Sequence, residues 1–240
     1  MRKKIANEIE IIHEDDSLLV LNKPSGLIVN RSKTAREKTL QDYLDEYLNL
    51  PQLVKDWEAT PEQEIFKQRS GLAHRLDKGT SGVLLVGKTP KALAVLMSQF
   101  KEREIHKEYL ALTHGKIIDQ KIEIQAPLGR NPKNRVKFAV VEEGKSAKTV
   151  IENLKVTGVF TLVLVKPETG RTHQVRVHLA AINHPVVGDR LYCPKSFLDI
   201  DMQNVGRLML HARKISFIHP VSFKKVTYTA EIPEEFLKYY

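Results

Sequence analysis

A chain of 240 residues with 42% hydrophobic content can bury a substantial core, as one large domain or two small ones. Its 38 Lys and Arg against 29 Asp and Glu leave a net charge of +9, the footprint of a polyanion binder, with nucleic acid as the leading class. Cys193 is the single cysteine, which excludes an intrachain disulfide framework and a Cys-based zinc cage and points to a reducing, cytoplasmic home.

The basic lead Met1-Arg2-Lys3-Lys4 meets Glu8 and Glu10 where a signal peptide needs an apolar core. Apolar runs such as 83–86 and 162–165 are strand-length, far too short to span a bilayer. Ile9, Ile11 and then Leu18-Leu19-Val20-Leu21 predict two strands joined by the acidic turn Glu14-Asp15-Asp16-Ser17. Pro24 and Gly26 end the second strand, and Leu27-Ile28-Val29 resumes an extended run. Lys23, beside Pro24, reads as an exposed loop lysine, with a phosphate contact as the alternative. The spacing of Leu40, Tyr43, Leu44, Tyr47 and Leu48 predicts an amphipathic helix from Thr39. Residues 50–68 mix two prolines with charges and read as an irregular excursion anchored by Trp57.

Residues 72–86 set one carboxylate among bases before an apolar run. Asp77 follows Arg75 by two residues and precedes Lys78, so nearby positive charge favours its ionised form. Such a carboxylate can act as nucleophile or base; it can equally serve a turn or a surface ion pair. Thr89 and Pro90 then predict the N-cap and first turn of a helix with an apolar stripe of Leu93, Leu96, Met97 and Phe100. Alternation through 103–112 predicts a strand on which Tyr109 shares a face with Lys107 and Ala111.

The turn-rich loop 127–137 carries four bases, Arg130, Lys133, Arg135 and Lys137. It is either a phosphate-contacting arm or a solvated charged hairpin, and Lys145 and Lys148 extend its basic rim. Strands follow at 149–156 and 160–165, with Thr157-Gly158 as their turn. In 170–185, Val175, Leu179 and Ile182 fall on one helical face, although 175–179 also fits strand alternation. Arg171 and Arg176 lie on this burial-suited segment, and a desolvated Arg needs an acceptor, carboxylate or phosphate. The tail predicts strands at 208–212, 215–218 and 226–232, closing an antiparallel-rich sheet.

Nine histidines form no His-Glu-x-x-His pair, and neither a P-loop nor a Gly-x-Gly-x-x-Gly fingerprint is present. No metal and no organic cofactor are therefore expected. Cys193, next to Pro194, has no activating context for a nucleophile.

His74-Arg75-Leu76-Asp77-Lys78-Gly79-Thr80-Ser81-Gly82 resembles the His-Arg-Leu-Asp-x-x-Thr-Ser-Gly signature of RluA-type RNA pseudouridine synthases at all seven fixed positions. Asn22-Lys23-Pro24-Ser25-Gly26-Leu27, Lys107-x-Tyr109-x-Ala111 and 170–179 running on to His184-Pro185, Gly188-Asp189 and Tyr192 resemble the family's other motifs, in order. The resemblance spans about Ile9 to Pro233. It implies an α+β fold with a mixed, mostly antiparallel sheet flanked by helices and loops, as a single catalytic domain over 1–240; many members carry a separate N-terminal RNA-binding module, and because the catalytic pattern starts at once here, none is expected, a departure from those members. It implies a monomeric enzyme that isomerises uridine in ribosomal or transfer RNA to pseudouridine after flipping the nucleotide from its stack. Asp77 would be the catalytic carboxylate, Arg176 its cationic partner, and Tyr109 the stacker on the flipped base and an aid in removing the C5 proton. Arg75 would help fill the vacated space and Leu210 would wall the pocket. Lys78, Arg130, Lys133, Arg135, Lys137, Arg171 and His173 would contact RNA. The competing readings are a non-catalytic basic RNA-binding or ribosome-assembly factor, and an RNA nuclease or glycosylase.

Overall fold

The computed structural model describes residues 4–5, 9–32, 36–55, 57 and 60–240; the basic lead Met1-Arg2-Lys3 lies outside them. In chain order the elements are β1 (Lys4–Ile5), β2 (Ile9–Glu14), β3 (Leu18–Lys23), α1 (Leu40–Tyr47), α2 (Leu50–Leu53), α3 (Pro61–Arg69), β4 (Ser81–Gly87), α4 (Pro90–Glu102) and β5 (His106–His114). There follow β6 (Lys121–Gln125), β7 (Leu128–Arg130), β8 (Phe138–Val140), β9 (Lys148–Thr157), β10 (Phe160–Pro167) and α5 (Gln174–Ala181). The last are α6 (Lys195–Asn204), β11 (Leu210–Ile218), β12 (Lys225–Thr229) and α7 (Glu234–Leu237). The chain divides into two compact units, one of Met1–Ile105 with Lys214–Glu231, the other of His106–Arg213 with Ile232–Tyr240.

In the first unit β1 to β4 pair antiparallel in sequence order, and β12 pairs antiparallel with β11 from Lys214 on. The β2–β3 turn is set by Asp15, whose Oδ1 accepts the N–H groups of Ser17 (2.7 Å) and Leu18 (2.9 Å), an Asx turn. Every residue of β4 is buried. Its Val83 and Leu85 form a core with Leu18, Val20, Phe66, Leu93, Leu96, Ile215 and Phe217. Thr89 caps α4 by accepting the Ala92 N–H, as the sequence predicts.

Three expectations change here. Residues 27–29 join no strand; the carbonyls of Ile28 and Val29 instead accept the first N–H groups of α1, from Leu40 and Gln41, which would otherwise lack helical partners. The supposed excursion 50–68 contains α2 and α3, and α3 starts with a capping box between Thr60 and Gln63 and a proline at its first turn. Residues 208–218 form one strand from Leu210, not two: Arg213 and Lys214 are half-buried, so these charges sit within the ladder without breaking it.

In the second unit the antiparallel order is β5, β10, β9, β6, with β7 and β8 as a separate hairpin. The β9–β10 turn falls at Gly158 and Val159, one residue later than predicted. Leu110, Leu112, Ile151, Leu162 and Val163 pack with Val175 and Leu179 of α5, which settles that stretch as helix. Helix α6 lies over a stretch, 195–204, for which no element is predicted. The architecture is the expected α+β fold built on mostly antiparallel sheet.

Candidate active site

The loop that carries Asp77 is fastened at both ends within the first unit. Gly71 has a φ of +76°, and a Cβ there would lie 2.3 Å from the Gly87 carbonyl, so only glycine lets the chain leave α3 against β4. The Ala73 N–H bonds the Leu85 carbonyl (3.1 Å), and His74 Nε2 accepts the Leu85 N–H (3.0 Å) with its ring 4.6 Å from that of Phe100. Leu76 is buried. Asp77 next to it is half-buried, while Arg75 and Lys78 are exposed. The Thr80 N–H returns to the Asp77 carbonyl (3.1 Å), closing a tight turn over Lys78 and Gly79.

That turn is held by residues 23–26, and the position of Lys23 overturns the sequence expectation. Lys23 is 0% exposed. Its Nζ donates to the carbonyls of Pro24 (2.7 Å), Leu27 (2.8 Å) and Lys78 (3.2 Å). Ser25 Oγ donates to the Gly79 carbonyl (2.7 Å), and the Gly26 N–H to that of Lys78 (2.8 Å). An ammonium leaves water only where its donors are met, and here the acceptors are backbone carbonyls from two segments 55 residues apart. Pattern reading missed this because none of those acceptors is a side chain.

In the second unit Tyr109 is half-buried on β5, opposite Val165 of β10. Lys107, on the same face, donates from Nζ to the Thr169 carbonyl (3.1 Å), and burial pushes its ammonium down to about 8. The following turn and α5 are locked by two buried polar residues. Gln174 Oε1 accepts from Thr169 Oγ1 (2.6 Å) and the Arg171 N–H (3.0 Å), and its Nε2 donates to the Lys148 carbonyl and Thr149 Oγ1, both at 2.9 Å. His178 Nδ1 meets Thr149 Oγ1 (2.9 Å) and its Nε2 the Ala126 carbonyl (3.1 Å). Burial lowers the His178 pKa, so the ring is kept neutral.

Arg176 is buried and grips Asp189 with two bonds, Nε to Oδ2 at 2.7 Å and Nη2 to Oδ1 at 2.8 Å. Asp189 is 0% exposed and also accepts the N–H groups of Leu191 and Tyr192, whose ring lies 5.1 Å from the guanidinium. The buried arginine's need for an acceptor was the signal in the sequence, and a carboxylate answers it. Gly188 beside it has a φ of +74°, and a Cβ would lie 2.0 Å from the Arg207 carbonyl.

His173 adopts a left-handed φ of 56° at the start of α5, and its Nδ1 is 2.8 Å from the Tyr192 hydroxyl. Arg171 Nε donates to the Ser146 carbonyl (3.1 Å). Leu210 is buried in the core of this unit. The basic loop is the β7–β8 hairpin: Arg130, Lys133 and Arg135 are exposed and Lys137 half-buried. Arg130 lies 4.5 Å over the Phe138 ring and donates to the Arg135 carbonyl (2.8 Å).

A buried group of His114, Cys193 and Asp201 places three potential metal-ligand atoms within 4.8 Å of one another. Hydrogen bonds account for it: Asp201 Oδ2 lies 2.9 Å from His114 Nε2, accepts the Gly188 N–H (2.9 Å) and is 3.7 Å from Cys193 Sγ. Burial and the Asp201 charge push the Cys193 thiol up to about 12, so it keeps its proton and donates.

The model of the RNA pseudouridylate synthase family matches residues 17–181 of the chain. The chain belongs to the RluA-type RNA pseudouridine synthases.

Among relatives of this pseudouridine synthase, the ribosomal large subunit pseudouridine synthase D of Xanthomonas campestris pv. campestris is 35% identical over 235 residues, covering 95% of this chain and 67% of that one. An uncharacterised RNA pseudouridine synthase of Helicobacter pylori is 34% identical over 246 residues, covering 100% and 71%. Among solved structures, human RNA pseudouridylate synthase domain containing 1 matches with a TM-score of 0.73 and 28% identity over 97% of this chain and 86% of that one. The matched segment of the synthase contains Asp77, Tyr109 and Arg176; Asp189 and Leu210 lie beyond it. Asp77 belongs to the first unit, Tyr109, Arg176 and Leu210 to the second.

Proposed function

We propose that this pseudouridine synthase acts on ribosomal RNA, with Asp77 as its catalytic carboxylate. The observation that carries the assignment is the clamped turn: Lys23, Ser25 and Gly26 fix the carbonyls of Lys78 and Gly79 and so hold Asp77 half-exposed on a rigid support. Names of relatives that refer to the large ribosomal subunit support the choice of RNA. A uridine is flipped out of its stack; the bond from ribose C1′ to N1 breaks, the base turns, a bond from C1′ to C5 forms as C5 loses its proton, and the freed N1 takes up a proton, so that no atom is gained or lost. Asp77 acts on the ribose or the base during that exchange, with Arg176 as its cationic partner. Tyr109 stacks on the flipped base and aids removal of the C5 proton, and Leu210 walls the pocket. Arg75 fills the space the nucleotide leaves. Lys78, Arg171, His173 and the hairpin bases Arg130, Lys133, Arg135 and Lys137 contact the RNA.

The net reaction is a redox-neutral isomerisation that needs no oxidant or reductant, and the proposal assigns it to side chains alone, without metal or organic cofactor, in a monomer in the cytoplasm. Among the described residues no helix is long and apolar enough to cross a membrane. The test compares wild type and Asp77→Asn on deproteinised ribosomal RNA, mapping pseudouridines. Wild type should convert uridine and the variant, equally folded, should not. Conversion by both would refute the role of Asp77, and strand cleavage or free uracil in place of pseudouridine would refute the reaction.

A further inference from the structure

The turn between β11 and β12 runs through His219-Pro220-Val221-Ser222-Phe223-Lys224, of which residues 221–224 are exposed, and it belongs to the first unit. Phe223 has a φ of 56°, a left-handed conformation that a bulky side chain adopts only under strain. Phe223 is 72% exposed and Val221 61% exposed, so burial within the unit does not repay that strain. The turn is nevertheless rigidly braced. The Phe223 N–H bonds the His219 carbonyl (3.0 Å) and the His219 N–H bonds the Lys224 carbonyl (2.9 Å). His219 is buried; its Nδ1 accepts the N–H groups of Val221 and Ser222, and its Nε2 bonds Asp15 on the β2–β3 turn (2.9 Å). Lys224 and Lys225 follow the aromatic ring, both exposed.

A strained, braced backbone that holds an aromatic residue out in solvent is preorganised for something outside the molecule. A flat apolar face followed by two cations, on a chain of net charge +9, complements an unpaired nucleotide: the ring meets a base and the ammonium groups meet its phosphates. We propose that the β11–β12 turn is an RNA-binding site in which Phe223 stacks on an unpaired base of the substrate and Lys224 and Lys225 hold the adjoining phosphates. The proposal rests on the enzyme acting on RNA.

The test measures affinity for deproteinised ribosomal RNA by filter binding, alongside melting temperature and conversion in the same samples, for wild type, Phe223→Gly, Phe223→Leu and Phe223→Tyr. Glycine adopts the positive φ freely, so Phe223→Gly should melt at or above the wild-type temperature while binding roughly 5- to 150-fold more weakly. A purely structural ring would give the reverse. Phe223→Leu should weaken binding and Phe223→Tyr should keep it, because stacking needs a π face. Unchanged affinity in Phe223→Gly, or wild-type affinity in Phe223→Leu, overturns the proposal; the latter result would mark the turn as a general apolar contact suited to a protein. Wild type that converts no uridine defeats the functional reading instead, whereas conversion by wild type with equal affinity across the variants defeats only the stacking site.

Discussion

Replacing Lys23 by methionine keeps the side chain's length and removes its three donors. The ammonium makes bonds of 2.7, 2.8 and 3.2 Å to the carbonyls of Pro24, Leu27 and Lys78. Each bond to a charged group contributes about 1.5–3 kcal/mol net, and each buried carbonyl left unmet costs about 1–3 kcal/mol. The Lys78 carbonyl keeps the Gly26 N–H, so the loss falls mainly on Pro24 and Leu27. Relief of the desolvation cost of a buried cation, several kcal/mol, works the other way. The balance is a loss of about 2–5 kcal/mol, or roughly 4–20 °C in melting temperature for a chain of this size. Conversion should fall more than the unfolded fraction accounts for, since a displacement of about 1 Å near the reacting groups costs on the order of 100-fold. The assays are a thermal melt and single-turnover conversion well below the melting temperature. Lys23→Arg should fail as well, because a planar guanidinium cannot aim at three converging carbonyls. A melt of Lys23→Met within about 2 °C of wild type, or undiminished conversion by it, would refute the clamp.

Three further outcomes are expected. Arg176→Met removes the cation that meets buried Asp189 and should destabilise by about 3–5 kcal/mol, read by denaturant titration; Arg176→Met with wild-type stability would rule out a structural share for this pair. His178 has a lowered pKa in the fold, so its contribution to stability is full above the unfolded value of 6.5 and is lost as pH falls from there toward the folded pKa, because the unfolded chain takes up a proton first. Melts across that window should show the decline in wild type and a flatter profile in His178→Gln. Neutralising Arg130, Lys133, Arg135 and Lys137 together should lower the salt slope of RNA binding by up to about 3–4, and an unchanged slope would take the hairpin out of the interface.

Legibility in the sequence followed the range of the interactions. The Asx turn at Asp15, the Thr89 cap and the helical face of Val175 and Leu179 depend on neighbours within a few residues, and the structure contains them. The capping box at Thr60 and Gln63 was equally local, but the prolines at 51 and 61 and the charges around them masked it. Helix α6 carries Asp199 and Asp201 among its apolar residues and leaves Phe197 and Ile200 exposed, so no clean stripe announces it. The bonds of Lys23 and the pairing of Asp189 with Arg176 were less legible, for a different reason. Each residue is fixed by partners that only the folded chain brings near, backbone carbonyls in one case and a buried arginine in the other, and no pattern of side chains along the sequence encodes a carbonyl.

The cations of this enzyme therefore fall into two populations with different consequences. Lys23 and Arg176 are buried and hold loops in place; Arg75, Lys78, Arg130, Lys133, Arg135, Lys224 and Lys225 are exposed. Counterion release depends on charges that reach phosphates, whereas removing one partner of a buried, bonded charge leaves the other unmet. Neutralising exposed bases should thus flatten the salt dependence of RNA binding while leaving the melting temperature nearly unchanged. Lys23→Met should do the opposite, lowering the melting temperature with the salt slope intact. Parallel loss of stability and salt slope in Lys23→Met would show that the net charge of +9 cannot be divided this way.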